Sequence, residues 1–306
     1  MLQYLQSTKS DLTIKPTEAL KTGTWVRSER PTDAEKIALI NLGVDEDILT
    51  DALDPHEVPR VEQDDNWTHF ITRLPDTDDD FNDFTTPVLF AMSDEYIVTV
   101  GRNSLGRLWQ PFIDSTNVPT AERTRIFMLM MEAITQQYQR RVATINRQMR
   151  AATSDVRRLQ SRDIATLTDY ERKLNDYLDA LIPTNTATEK LLNGRMLKLT
   201  EDDRDLVEDL SIDFEQLIAR CKSLLRTITN LRDSYRAVMD TRLNETIRLL
   251  TVITLALTIP TMIAGLYGMN VELPGAVESS PYTFWGVIAV SLISAGSLSL
   301  YFLRKR

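Results

Sequence analysis

Two stretches near the C-terminus rule out an ordinary soluble fold for the whole chain. From Leu249 to Tyr267, and again from Phe284 to Leu303, there is no charged side chain. Wound as a helix at about 1.5 Å per residue, each run is long enough to cross a hydrocarbon layer of about 30 Å. Only residues 268–283 separate them, so the pair reads as a membrane hairpin. Averages hide this signal: 26% charged residues and a net charge of -9 are ordinary for a soluble protein. The tetrad Tyr267-Gly268-Met269-Asn270 falls where the first span must stop and turn, which makes it a candidate ion-recognition site.

The flanks orient the hairpin. Arg232, Arg236, Arg242 and Arg248 precede the first span, and Arg304, Lys305 and Arg306 follow the second. The loop between carries Glu272 and Glu278 but no Lys or Arg. The positive-inside rule then places both termini in the cytoplasm and the loop outside, as in a multi-pass protein of a prokaryotic plasma membrane. A hairpin that only anchors a soluble domain has the same topology. Met1 to Lys15 lacks the charged and apolar regions of a cleaved signal peptide. The single Cys221 excludes an intrachain disulfide. The acidic balance speaks against a nucleic-acid partner and suits divalent cations. Two histidines, one cysteine and no nucleophile or phosphate-loop motif leave little from which to build an enzyme.

The fold class expected is α+β continued into an all-α membrane part. Residues 1–118 read as a mixed α/β cytoplasmic domain, with strands at Asp11–Ile14, Thr24–Arg27, Trp67–Thr72, Pro87–Met92 and Tyr96–Val100. Helices are expected at Thr32–Asn41, capped by Thr32 or Asp33, and at Glu46–Leu53. Asp76 to Asp80 is acidic enough for a calcium loop, but Phe81 stands at its sixth position and Pro87 at its twelfth, so a solvated hairpin turn fits better. Residues 119–200 read as two long antiparallel helices, near 120–154 and 162–192, with Pro183 punctuating the second and a connection at Asn193-Gly194. A stalk helix over 201–248 leads into the first span at 249–270. The external loop covers 271–283, the second span 284–303 and a basic tail 304–306.

Along the stalk, Phe214, Leu217, Cys221, Leu224, Ile228, Leu231, Tyr235 and Val238 alternate steps of three and four, a heptad stripe that packs against other helices. Two partners satisfy it: copies of the same helix in an oligomer, or the helices at 120–192 of the same chain. In the first span Thr251, Thr254, Thr258 and Thr261 share one face with Asn244 two turns earlier. Such residues line a water-filled path between several copies, or they bond their own helix and neighbours. The second span, with Trp285 and Tyr301 at its ends, reads as the lipid-facing helix. Pro260 removes one backbone hydrogen bond and is expected to bend the first. The tetrad also has two readings. Gly268 and Asn270 are common helix terminators, and a ring of Asn270 amides supplies neutral acceptors suited to the water shell of Mg2+, which dehydrates reluctantly.

The tetrad at the end of the first of two C-terminal spans resembles the signature of the CorA magnesium-transporter family. The match extends through Asn244-Glu245, Pro260-Thr261-Met262-Ile263-Ala264-Gly265, Leu49-Thr50-Asp51-Ala52-Leu53 and Pro59-Arg60-Val61-Glu62. The resemblance implies a homopentameric funnel in a lipid bilayer that passes Mg2+ inward down the membrane potential. By residue it implies a selectivity ring at Gly268, Met269 and Asn270, with Thr261, Thr258 and Asn244 as polar pore positions. Leu250 and Ile247 resemble its hydrophobic constriction. Asp51 and Asp233 resemble an acidic pair that binds regulatory Mg2+ between subunits. Thr50 departs from the family pattern, in which a second acid is frequent. Met269 stands where the zinc-exporting relatives usually carry Ile, which favours Mg2+ over cobalt, nickel or zinc.

Overall fold

The computed structural model describes residues 1–64, 66–77, 83–152, 161–192, 196–197, 199–269 and 281–304. Two compact units divide the chain, Met1–Leu231 and Arg232–Arg306.

The first unit is built on a seven-stranded sheet of order β2-β1-β3-β7-β6-β5-β4. The strands are β1 (Leu2–Gln6), β2 (Lys15–Pro16), β3 (Trp25–Glu29), β4 (Arg60–Asp64), β5 (Trp67–Thr77), β6 (Asp83–Met92) and β7 (Ile97–Gly101). All neighbours are antiparallel except β3 and β7. Side chains alternate across a strand, and here the alternation separates two cores. Val26, Ile71, Leu89, Ala91, Val98 and Val100 join Leu39, Val44, Ile48 and Leu49 on one side. Those four belong to α1 (Asp33–Leu42), α2 (Glu46–Asp51) and the link between them. Trp25, Phe70, Phe90 and Ile97 face the other way. They meet α3 (Gly106–Ser115), α4 (Arg123–Ala152) and α5 (Ser161–Leu192). The result is an α/β/α sandwich.

Local chemistry sets the ends of α1. Thr32 accepts from the Glu35 amide while the Glu35 side chain returns to the Thr32 backbone, a complete capping box. At the other end Gly43 is left-handed with φ 110°, and a Cβ there would lie 2.6 Å from the Trp67 indole nitrogen. Glycine is required on both counts.

Several expectations need correcting. Residues 11–14 are not a strand: Thr8 and Asp11 exchange backbone hydrogen bonds and the Asp11 carboxylate accepts from the Thr13 amide, which makes a turn. The pairing with β1 falls instead on Lys15–Pro16. Pro183 does not interrupt α5. Pro260 lies inside α6 (Glu201–Tyr267), within the span where it was expected. Asp76 and Thr77 belong to β5, which pairs with β6 as far as Thr77↔Asp83. Asp78, Asp79 and Asp80, like Asn193-Gly194, lie outside the described residues.

The heptad stripe turns inward. Phe214, Leu217, Cys221, Leu224 and Ile228 are buried in the same core as α4 and α5, with Leu231 packed against it. Partners in the same chain therefore satisfy the stripe up to Leu231. Burial pushes the Cys221 thiol up to about 12, with Arg220 opposing only weakly, so it is an inert packing residue.

His69 on β5 is a buried titratable group that the sequence did not single out. It is 1% exposed, stacks on Trp67 at 6.2 Å, and neither ring nitrogen meets a protein hydrogen-bond partner among the described residues. Burial lowers its pKa, against the pull of Asp45, Asp64 and Glu62. The unfolded chain, with an ordinary histidine pKa of about 6.5, therefore takes up the proton first as pH falls. Stability contributed by neutral His69 is complete above that value and is lost progressively below it. Chemical denaturation between pH 8 and 5 should show this slope, and His69→Phe should flatten it. An equal slope in the variant would assign the loss to other groups.

Candidate functional site

The candidate site lies along α6 in the second unit. Because the helix is unbroken from Glu201 to Tyr267, positions on it can be projected at about 100° per residue. Asn244, Ile247, Leu250, Thr251, Thr254, Thr258 and Thr261 then share one arc of about 120°. All seven are exposed. The opposite arc holds the buried Val252 and the half-buried Ile259, Pro260 and Ile263.

The last helix, α7 (Pro281–Arg304), stands on that second side. Pro260, Ala264, Tyr267 and Gly268 line a crevice of about 430 Å³ with Val287, Ile288, Ser291 and Leu292. The polar arc is left open within the unit.

Each threonine hydroxyl is committed as a donor. Thr251 and Thr254 donate to the carbonyls of Ile247 and Leu250 at 2.9 Å, and Thr258 and Thr261 to those of Thr254 and Leu257 at 2.7 Å. Self-bonding, one of the two readings of these residues, is thus observed. It does not silence them: a hydroxyl that spends its proton on the i−4 carbonyl keeps its lone pairs as acceptors. A hydrated cation presents water hydrogens outward, and such a row of acceptors is matched to it.

At the end of α6, Gly268 donates to the Ala264 carbonyl at 3.0 Å and Met269 to that of Leu266 at 3.4 Å, a final turn that tightens as it ends. The helix ends at Tyr267, with Gly268 the first residue beyond it. Asn270 lies outside the described residues, as do residues 271–280 of the loop and Lys305 and Arg306 of the tail.

The apolar surface around the polar arc is bare. Leu249, Leu250, Leu257 and Met262 are each more than half exposed, and the apolar window of α6 is almost wholly uncovered by the chain. Leaving such side chains in water forgoes roughly 1.5–3 kcal/mol each relative to burial. Among the described residues α6 is the one helix long and apolar enough to cross a membrane. The apolar part of α7, Trp285–Tyr301, is shorter.

The two acidic residues singled out from the sequence sit in different units. Asp51 closes α2, and its carboxylate accepts from Arg60 Nη2 at 2.7 Å. Asp233, on α6, lies 3.7 Å from Arg236 Nη1 and is 64% exposed. No group of three or more His, Cys, Asp or Glu among the described residues is arranged to hold a metal ion. His56 is exposed, and its backbone amide donates to Asp54. Arg60, in the stretch 59–62, donates to all three of Asp51, Glu57 and Glu62, a role that the sequence alone does not mark. Only its nearness to those acids along the chain hints at it.

An α/β/α unit whose last helix runs on into an apolar segment with a polar stripe defines a helical membrane protein with a large soluble part. Residues 21–306 match the family described as CorA-like Mg2+ transporter protein, and the chain belongs to that family. It is 26% identical to the cobalt/magnesium transport protein CorA of Methanocaldococcus jannaschii over 88% of this chain and 86% of that one. The solved structure of the complete CorA magnesium transporter from that organism superposes on the fold with a TM-score of 0.84 at 19% identity, covering 100% and 98% of the two chains. The full-length CmaX protein matches with a TM-score of 0.76 at 16% identity, covering 100% and 97%.

Proposed function

We propose that this chain forms a homopentameric channel that passes Mg2+ passively into the cell. The observation that carries the reading is the continuous row of hydroxyl acceptors on the exposed arc of α6, with Ile247 and Leu250 interposed. One such helix encloses nothing, so a water-filled path needs several copies around an axis. In that arrangement the polar arcs face the axis and α7, the second span, faces lipid. Ile247 and Leu250 form a constriction that closes by dewetting. Gly268, Met269 and Asn270 form the outer mouth, where neutral acceptors read the water shell of Mg2+. Tyr267 closes the span at the interface. Two charges moving inward gain about 4.6 kcal/mol per 100 mV, enough to drive influx without ATP.

Gating is assigned to Mg2+ held between adjacent subunits by Asp51 and Asp233. At high internal Mg2+ the ion screens their repulsion and holds the funnel closed. Such a site takes its ligands from two chains, so Mg2+ is both cargo and regulator.

Cobalt, nickel or zinc transport on the same fold is the second reading, supported by the cobalt/magnesium transport named for one relative. Flux into liposomes under an imposed potential, with the metals in competition, tests both readings. Mg2+ entry that cobalt, nickel and zinc compete with poorly is the result expected. No flux of any divalent ion would leave a membrane-anchored scaffold or sensor.

A further inference from the structure

The carboxylate assigned to regulation already holds a cation that belongs to the chain. Arg60, which opens β4, is the meeting point of three acids. Its Nη2 donates to Asp51 at 2.7 Å, its Nη1 donates to Glu57, and its Nε donates to Glu62. Burial disfavours the charged guanidinium, but the hydrogen bonds it donates to Glu62 and Asp51 outweigh it and hold the group above its ordinary pKa. The other cations nearby are turned toward the backbone. Arg73 Nη1 bonds the carbonyls of Pro55 and Glu57, and Arg102 Nη1 that of Leu53.

The three contacts are not equivalent. Glu57 is the most enclosed acid, its side chain 18% exposed, whereas Asp51 at the end of α2 and Glu62 on β4 are 47% and 49% exposed. Asp51 can therefore exchange partners at the surface while the enclosed Glu57 keeps the guanidinium paired. A guanidinium fork and a small hard cation are rivals for one carboxylate, since the lone pairs that accept N–H bonds are those that would ligate a metal or its waters.

We propose that Arg60 is a built-in competitor for Asp51 and sets the Mg2+ concentration at which the regulatory site fills. With Arg60 docked, Asp51 is closed to a divalent ion. When Mg2+ is abundant the ion takes Asp51, and Arg60 stays paired with the enclosed Glu57. This rests on the assignment of Asp51 as a regulatory ligand.

The test uses the purified full chain in lipid nanodiscs and reads the Mg2+ concentration that gives half-maximal protection from proteinase K. Arg60→Gln should lower that concentration about two- to fivefold, the worth of one partly exposed ion pair. Arg60→Lys keeps the charge but loses the fork, and should fall between that variant and the wild type. In an Asp51→Asn background Arg60→Gln should have no further effect. A threshold unchanged or raised in both Arg60 variants, with Asp51→Asn still shifting it, overturns the competition and leaves the regulatory site standing. If Asp51→Asn and Asp233→Asn both keep the wild-type threshold, the regulatory assignment itself fails. Arg60→Lys carries the comparison alone if Arg60→Gln does not fold.

Discussion

Replacing Asn270 by alanine is expected to cut Mg2+ uptake at least about tenfold, equivalent to roughly 1.4 kcal/mol of lost stabilisation at the mouth. The size follows from multiplicity. In a pentamer one substitution removes every amide acceptor from the ring at once, and nothing in Met269 or Gly268 replaces a side-chain carbonyl. Asn270→Asp is expected to reduce uptake as well, for the opposite reason: a ring of carboxylates binds the ion tightly and slows its release. The measurement is uptake in cells that lack their own Mg2+ uptake, with membrane levels of each variant matched. Equal uptake by wild type and Asn270→Ala would remove the selectivity assignment, whatever the fate of the pore.

The second large effect is structural. Phe90→Ala should destabilise the first unit by about 3–5 kcal/mol, the usual range for deleting a buried aromatic. Phe90 is fully buried in β6 and meets Trp109 and Phe127 edge to face, at centroid distances of 6.1 and 5.2 Å. Phe127 also meets Phe70 at 5.2 Å, so the cavity would open in the aromatic cluster that joins the sheet to α3 and α4. Chemical denaturation of the full chain, followed by tryptophan fluorescence, reads the loss. Ile37→Ala, at a residue 59% exposed on α1, is the control and should stay within about 0.5 kcal/mol. A similar midpoint for both variants would mean that the cluster can close over the gap.

Much of the architecture was legible because burial leaves a mark in the chain. Short runs rich in β-branched and aromatic residues marked β3, β5, β6 and β7, where one strand feeds two cores. The Thr32–Glu35 box marked α1 by its own hydrogen bonds. Elements without such a mark were missed. In β1 glutamines interrupt the apolar pattern and most residues are only half-buried. Apart from Val61, β4 is polar, being the outermost strand beyond β5. No side chain caps α3, and Pro111 lies within it. Pro183 was over-read as punctuation, since it does not end its helix. Of the site, the shared face of Asn244 and the threonines was readable from spacing, whereas the commitment of each hydroxyl proton to the backbone was not.

The tetrad, the charge-free spans, the polar face of α6 and the heptad stripe are all properties of the sequence alone. They follow from local spacing and hydrophobicity, which need no partner to be defined. Tertiary structure decided which of several available partners each surface took. It turned the stripe inward as far as Leu231, because the facing helices of the same chain fill that seam. It set α7 against the back of α6 and left the polar arc open. It also gave Asp51 to Arg60, nine residues away. Periodicity shows that a surface must be satisfied, but three-dimensional proximity determines the atoms that satisfy it.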